Sequence, residues 1–218
     1  PRIAKELLEK YHEDLIICSA CIGGEIPQHI LNGRLDKAEE SLLWFKNLFG
    51  EDYYLEIQRH ETHDPNAAQD VYPHQVTANK TIIELARKHN IKVIATNDVH
   101  FVNAEDAEAH DRLICLSTGK DLDDPNRMRY TKQEWMKTTA EINSIFSDIP
   151  EALSNTLEIA DKVEFYSIDH GPIMPTFAIP EEFGTEERYR QKFTEQDLFD
   201  EFTRDENGNI VLNEEAAH

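Results

Sequence analysis

Cysteine is scarce in this sequence, which holds three among its 218 residues: Cys18, Cys21 and Cys115. So small and odd a number excludes a disulfide-rich secreted scaffold and favours a reducing, cytoplasmic compartment. Basic residues are scarce too, since 22 Lys and Arg stand against 43 Asp and Glu, for a net charge of −21. Because such a balance repels phosphate backbones at long range, we do not expect this segment to be a main nucleic-acid contact.

Long hydrophobic runs are missing as well, and none approaches the length that would cross a membrane. With 39% hydrophobic and 30% charged residues, the composition is that of a soluble globular chain with one core, or with one domain and an appendage. The chain starts at Pro1 without an initiator methionine or a signal region, so we expect a segment of a longer protein.

The most informative stretch runs from residue 93 to residue 101. Its apolar and β-branched start predicts a buried strand, and Asp98 and His100 follow where that strand ends. Two residues apart in extended chain, the two side chains would point to the same side, where a carboxylate and an imidazole can bind one divalent metal. The alternative is that Asp98 caps the next helix and His100 packs nearby.

Two earlier stretches, 15–19 and 53–59, predict further strands, and amphipathic patterns over 35–49 and 73–90 predict the helices between them. Alternation of strands with helices long enough for crossovers indicates parallel strands and an α/β fold. Cys18 falls within the first strand and is expected in the core, not in a redox pair.

Parallel strands would bring three strand ends together. These ends carry Cys21, then Glu56 and His60, then Asp98 and His100. A thiolate, a carboxylate and an imidazole from different strand ends make a plausible metal site. Each group also has a simpler interpretation. Cys21 would be a lone buried thiol, Glu56 a residue on a solvated strand face and His60 a surface loop residue.

The pattern after Phe101 is helical, with helices predicted over 104–119, after a capping box at 138–141, and over 150–163. Three prolines between residues 172 and 180 predict an extended connector. We therefore place a domain boundary there, dividing residues 1–172 from residues 173–218.

Six motifs occur in a characteristic order: Ser19 to Glu25, Leu55 to Gln58, Ala95 to Phe101, Asp123 to Pro125, Phe146 to Thr156 and Pro172 to Pro180. Together they resemble the family of alpha (catalytic) subunits of bacterial DNA polymerase III, over nearly the whole chain up to about Thr203. The matching region is the later part of the amino-terminal PHP (polymerase and histidinol phosphatase) domain and the start of the link to the palm. The resemblance implies a distorted (β/α) barrel with parallel strands, whose opening strands precede Pro1, followed by helices and the connector.

The same resemblance implies a cluster of up to three metals at the strand ends. Cys21, Asp98 and His100 match ligand positions of the family, and Glu56 and His60 are second-tier candidates. Thiolate and imidazole donors suit zinc, manganese or iron better than calcium. The family's early His-x-His pair would lie before Pro1, and the palm carboxylates that hold magnesium would lie after His218. We therefore expect the segment alone to be inactive.

For the whole protein, the resemblance implies template-directed DNA synthesis in the cytoplasm, with DNA and deoxynucleoside triphosphates bound by other domains. The PHP domain would act as a 3'-5' exonuclease or phosphoesterase, or as a scaffold for the proofreading exonuclease subunit and other holoenzyme subunits. Two alternatives stay open: a free-standing PHP phosphoesterase, in which clustered metals activate water against a phosphate ester, and a metal-free interaction module. No membrane partner is expected.

Overall fold

The structure is a computed structural model that describes residues 3–174 and 184–209. Three strands and nine α-helices occur in these ranges: α1 Lys5–Lys10, β1 Ile17–Cys18, α2 Glu25–Leu31, α3 Leu35–Phe49, β2 Tyr53–Ile57, α4 Val71–His89, β3 Lys92–Ala95, α5 Ala107–Thr118, α6 Thr139–Ile145, α7 Pro150–Lys162, α8 Glu186–Lys192 and α9 Glu195–Thr203. Short 3-10 turns, Gly50–Asp52 and Ala104–Asp106, precede β2 and α5.

The three strands form one parallel sheet in the order β1-β2-β3. Ile17 pairs with Tyr53, and Leu55 pairs with Val93, so β2 lies between its neighbours. Helices α2 and α3 connect β1 to β2, and α4 connects β2 to β3, as parallel strands require. The predicted α/β fold with parallel strands is confirmed.

Side chains from the sheet and from α2, α3, α4 and α7 build the core. Its largest members are at most 8% exposed and include Ile26, Leu42, Leu55, Ile57, Ile82 and Val93. Burying each such side chain stabilises the fold by roughly 1.5–3 kcal/mol relative to exposure. Helix α7 is also tied to β3 by polar contacts, because Asn155 Nδ2 donates to Val93 O at 2.8 Å.

The predicted elements differ from the observed ones mainly at their ends. Helix α3 has the predicted bounds and stops at Gly50, whose φ is +59°. The first strand is shorter than predicted, since β1 contains only Ile17 and Cys18. The strand expected to lead directly to Asp98 ends earlier, at Ala95, and irregular backbone follows.

The chain divides into two compact units, Pro1–Phe165 and Tyr166–His218. The described part of the second unit contains α8 and α9, and Thr194 caps α9 because its side chain accepts from the N–H of Asp197. The predicted boundary near residue 172 stays a prediction, and residues 175–180 of the predicted connector lie outside the described residues. Across residues 3–174 and 184–209, no helix is both long enough and apolar enough to traverse a bilayer.

Candidate metal site at the strand ends

Glu56 connects the ends of all three strands through hydrogen bonds. Its Oε2 accepts from the N–H of Ala20 at 2.7 Å, and its Oε1 accepts from Thr96 Oγ1 at 2.7 Å. Its own N–H donates to Ser19 Oγ at 2.8 Å. The side chain is therefore a cross-link between the segments that follow β1 and β3. The interpretation of Glu56 as a residue on a solvated strand face is wrong.

Cys21 lies in a tight turn between β1 and α2. The turn is closed by the N–H of Gly24, which donates to Cys21 O at 2.8 Å. A Cβ on Gly24 would lie 2.3 Å from Ser19 O, so only glycine lets the backbone approach this closely. The thiol of Cys21 is half-buried. In contrast, burial and the nearby charge of Glu56 raise the pKa of Cys18 to about 11, which keeps that thiol protonated at neutral pH.

Asp98 and His100 meet in the turn beyond β3. Their Oδ1 and Nδ1 atoms are 3.9 Å apart, and His100 Nδ1 lies 2.6 Å from Asp98 O. Because a carbonyl only accepts, Nδ1 carries the proton and Nε2 keeps a lone pair. The alternative role of Asp98 as the cap of the next helix is wrong, since Asp106 closes that turn by accepting from the N–H of Asn103 at 2.9 Å.

Two residues that the sequence patterns did not single out lie against His100. Tyr130 donates its hydroxyl to His100 Nε2 at 3.2 Å, and the rings are 4.7 Å apart. The ring of His110, on α5, lies 5.6 Å from that of His100 and 5.1 Å from that of Tyr130. Burial, with His100 nearby, lowers the pKa of His110 and favours its neutral imidazole.

The hydroxyl of Tyr130 is affected by its electrostatic surroundings. Burial raises the pKa of its hydroxyl, and the charges of Asp98, Glu134 and Cys21 add to the effect in that order. The direct contacts of Tyr130 within the site are those to His100 and His110. Nothing in the local sequence signals this, because Tyr130 follows a charged loop and reaches the site only through the fold.

His60 is 2% exposed, so the interpretation of it as a surface residue is wrong. Gln75 Nε2 lies 3.0 Å from its Nδ1, and its Nε2 lies 3.1 Å from Asn97 O. Burial lowers the pKa of His60, with the nearby Glu134 opposing, which favours the neutral ring. Both ring nitrogens form hydrogen bonds, and the one to Asn97 O lets His60 support the backbone just before Asp98.

The donors fit part of a metal site. His100 has the arrangement usual for metal-binding histidines, with Nδ1–H on a backbone carbonyl and a lone pair on Nε2 that here accepts from Tyr130, and Asp98 supplies a carboxylate beside it. Within the described ranges, no three His, Cys, Asp or Glu side chains lie close enough together to hold a metal ion. Asp98 and His100 thus form a pair of donors beyond β3, while Cys21 follows β1, on the other side of β2.

Residues 1–60 match the family model of the PHP domain. DNA polymerase III subunit alpha of Borreliella burgdorferi is 42% identical over 200 residues, which cover 91% of this chain and 17% of that protein. The corresponding subunit of Campylobacter jejuni is 39% identical, with 84% of this chain and 15% of that protein covered. That of Treponema pallidum is 33% identical, with coverages of 93% and 17%.

The parallel sheet and the match of residues 1–60 to the PHP family model identify an α/β fold with a PHP domain. Within that class, the chain is similar over 84–93% of its length to one segment of DNA polymerase III alpha subunits, and the resemblance inferred from the sequence motifs is confirmed. The chain spans only 15–17% of the length of these relatives.

Proposed function

We propose that this chain is part of a replicative DNA polymerase, a DNA-directed nucleotidyltransferase of the bacterial cytoplasm. The observation that carries the proposal is similarity to DNA polymerase III alpha subunits over 84–93% of the chain. DNA, deoxynucleoside triphosphates and catalytic magnesium would be bound by other parts of the protein. The strongly acidic segment suits protein partners better than DNA, among them the proofreading exonuclease and other polymerase III holoenzyme subunits.

Within that protein, we propose that Cys21, Asp98 and His100 contribute to a PHP metal site for zinc, manganese or iron. Support comes from the paired Asp98 and His100 donors and from the His100 tautomer, which leaves the Nε2 lone pair for a cation that displaces the Tyr130 hydroxyl. Such a cation would supply an activated water for phosphodiester cleavage, a 3'-5' exonuclease or phosphoesterase activity separate from polymerisation. The Asp98 carbonyl orients the imidazole, and further ligands would come from outside the described residues.

The test is metal analysis of the full-length protein by mass spectrometry. We expect Asp98→Ala and His100→Ala each to reduce bound metal by at least about tenfold, as loss of a direct ligand should cost no less than loss of an outer partner. PHP nuclease activity should fall with the metal, whereas primer extension should survive. The control is His170→Ala, since His170 is exposed and belongs to the second compact unit. Unchanged metal content in both variants would contradict the assignment.

A metal-free scaffold is the second candidate, and one observation favours it. The described residues bring no three metal-binding side chains together. Wild-type protein purified without any bound metal would support this role. A free-standing phosphoesterase is less well supported, because the similarity to the polymerase subunits continues far beyond residues 1–60.

A further inference from the structure

The turn that carries Asp98 needs support from its surroundings. Asp98 has a φ of +44°, in the left-handed region that residues with a side chain adopt rarely and at a cost in free energy. Such a conformation persists only where neighbouring contacts determine it. Because His100 belongs to the same turn, the placement of both metal donors depends on what holds this backbone.

The first support comes from Asn97, the residue before Asp98. Its Nδ2 donates to Gln133 O at 3.0 Å and to Trp135 O at 2.7 Å. Asn97 is 8% exposed, so water cannot easily replace these acceptors. One amide group thus satisfies two backbone carbonyls of a segment that lies far away in the sequence and fixes the start of the turn against it.

The second support acts after Asp98. The backbone oxygen of Glu134 accepts from the N–H of His100 at 2.7 Å and from that of Phe101 at 3.4 Å. A parallel bridge joins Phe101 to Trp135. The turn is therefore held on both sides by the same extended segment, which lies beside it as an additional strand would.

The supporting segment is itself fixed by buried polar contacts. Glu134 is 3% exposed, and its Oε1 accepts from the N–H of Thr131 at 3.0 Å and from Thr131 Oγ1 at 2.6 Å. On the other side of the turn, Gln75 Nε2 donates to His60 Nδ1, which leaves His60 Nε2–H to donate to Asn97 O. Asn97 is thus held through its side chain and its carbonyl.

Resting on the metal site proposed above, we propose that Asn97 is a positioning residue that, with the Glu134 carbonyl, holds Asp98 and His100 in metal-binding geometry. Asn97 contacts no metal in this scheme. It acts by keeping the left-handed turn in place, so that the Asp98 carboxylate and the His100 ring stay beside each other before a cation binds. Outer partners of metal ligands commonly contribute in this way.

Asn97→Ala in the full-length protein tests the proposal, with Asn79→Ala as a matched control. Asn79 has the same 8% exposure and donates Nδ2 to a backbone oxygen, that of Gln58 at 2.8 Å, but it does not contact the turn. In competition titrations of Zn²⁺ against a chromogenic chelator, we expect Asn97→Ala to bind about 10- to 100-fold more weakly than wild type. Asn79→Ala should bind as wild type does, although both variants lower the melting temperature.

Hydrogen exchange in metal-free protein gives an independent reading. The amides of His100 and Phe101 should lose protection in Asn97→Ala and keep it in Asn79→Ala, because only the former removes the support of the turn. If Asn97→Ala does not fold, Asn97→Ser, which keeps one donor, should show intermediate Zn²⁺ affinity and protection.

Equal Zn²⁺ affinity and equal amide protection in the two alanine variants would overturn the role of Asn97. A wild-type protein that binds none of Zn²⁺, Mn²⁺ and Fe²⁺ would instead overturn the proposed metal site. In that case the exchange data still decide whether Asn97 holds the turn.

Discussion

The Tyr130 side chain would compete directly with a cation for His100. Its hydroxyl donates to the same Nε2 of His100 that would bind metal. A hydrogen bond of this kind is worth about 0.5–1.5 kcal/mol net. We expect Tyr130→Phe in the full-length protein to raise Zn²⁺ affinity by about two- to tenfold, since tenfold corresponds to about 1.4 kcal/mol.

Competition titration with a chelator measures this affinity. The matched control is Tyr166→Phe, which removes a hydroxyl from a side chain that is 71% exposed and should change nothing. If Tyr130→Phe binds Zn²⁺ as wild type does or more weakly, the Tyr130 hydroxyl does not compete with the metal for His100.

The sequence could indicate Asp98 and His100 because they directly follow an apolar strand pattern. It could not show that Glu56 cross-links the strand ends, or that both nitrogens of His60 are engaged, because their partners are distant in the chain. His110 and Tyr130 had no local signal at all. They join the site only through packing of α5 and of the loop after it.

Arg59 provides one polar connection between the end of the sheet and the helices. It follows β2 and forms a bidentate ion pair with Asp148, with N–O distances of 2.6 and 2.8 Å. It also donates to Ile145 O at 2.8 Å and lies over the ring of Phe146. The planar guanidinium thus joins the end of the sheet to the turn between α6 and α7, a role that lysine could not fill.

This connection should weaken in acid. The Arg59 guanidinium holds the pKa of Asp148 below its usual value of 3.8. The pair therefore stabilises the fold at neutral pH, and its contribution is lost as pH falls through the lowered pKa. Because the Asp148 side chain is 60% exposed, we expect Asp148→Asn to reduce the free energy of unfolding at pH 7 by no more than about 1 kcal/mol.

Urea unfolding at pH 7 and at pH 3 measures the difference between Asp148→Asn and wild type. The difference should be present at pH 7 and should be smaller at pH 3, below the usual pKa of 3.8. Asp161→Asn, at an exposed position of α7, is the control and should be neutral at both pH values. A deficit of equal size at both pH values would mean that the ion pair is not its cause.

Helices were easier to predict than the ends of strands. The apolar spacing and the glycine stop of α3 are local, so its bounds could be predicted from the sequence. β3 stops at Ala95, whereas the sequence pattern predicted a strand that leads directly to Asp98. The reason is not local, because Asn97 turns its amide toward Gln133 and Trp135 and the backbone leaves the sheet.

Two properties of the whole chain predict how it behaves in isolation. These are its composition and the small part of its relatives' length that it covers. With a net charge of −21, it should bind DNA weakly, and it spans 15–17% of the polymerase subunits that it resembles. We expect the isolated 218 residues to give only background primer extension on a primed template with magnesium and deoxynucleoside triphosphates. The full-length protein is the positive control. Extension above background by a contaminant-free preparation would contradict our placement of the polymerase chemistry elsewhere.

The parallel order of the strands also determines when the site can form. Its parts come from the ends of β1, β2 and β3 and from the segment around Glu134, so the chain must bring four distant stretches together first. During synthesis, a ribosome would have to release residues beyond Trp135 before any cation could be held. Contacts that form so late are absent from an early folding nucleus. A bound metal would therefore slow unfolding far more than it would speed folding. It would add kinetic stability to the folded protein.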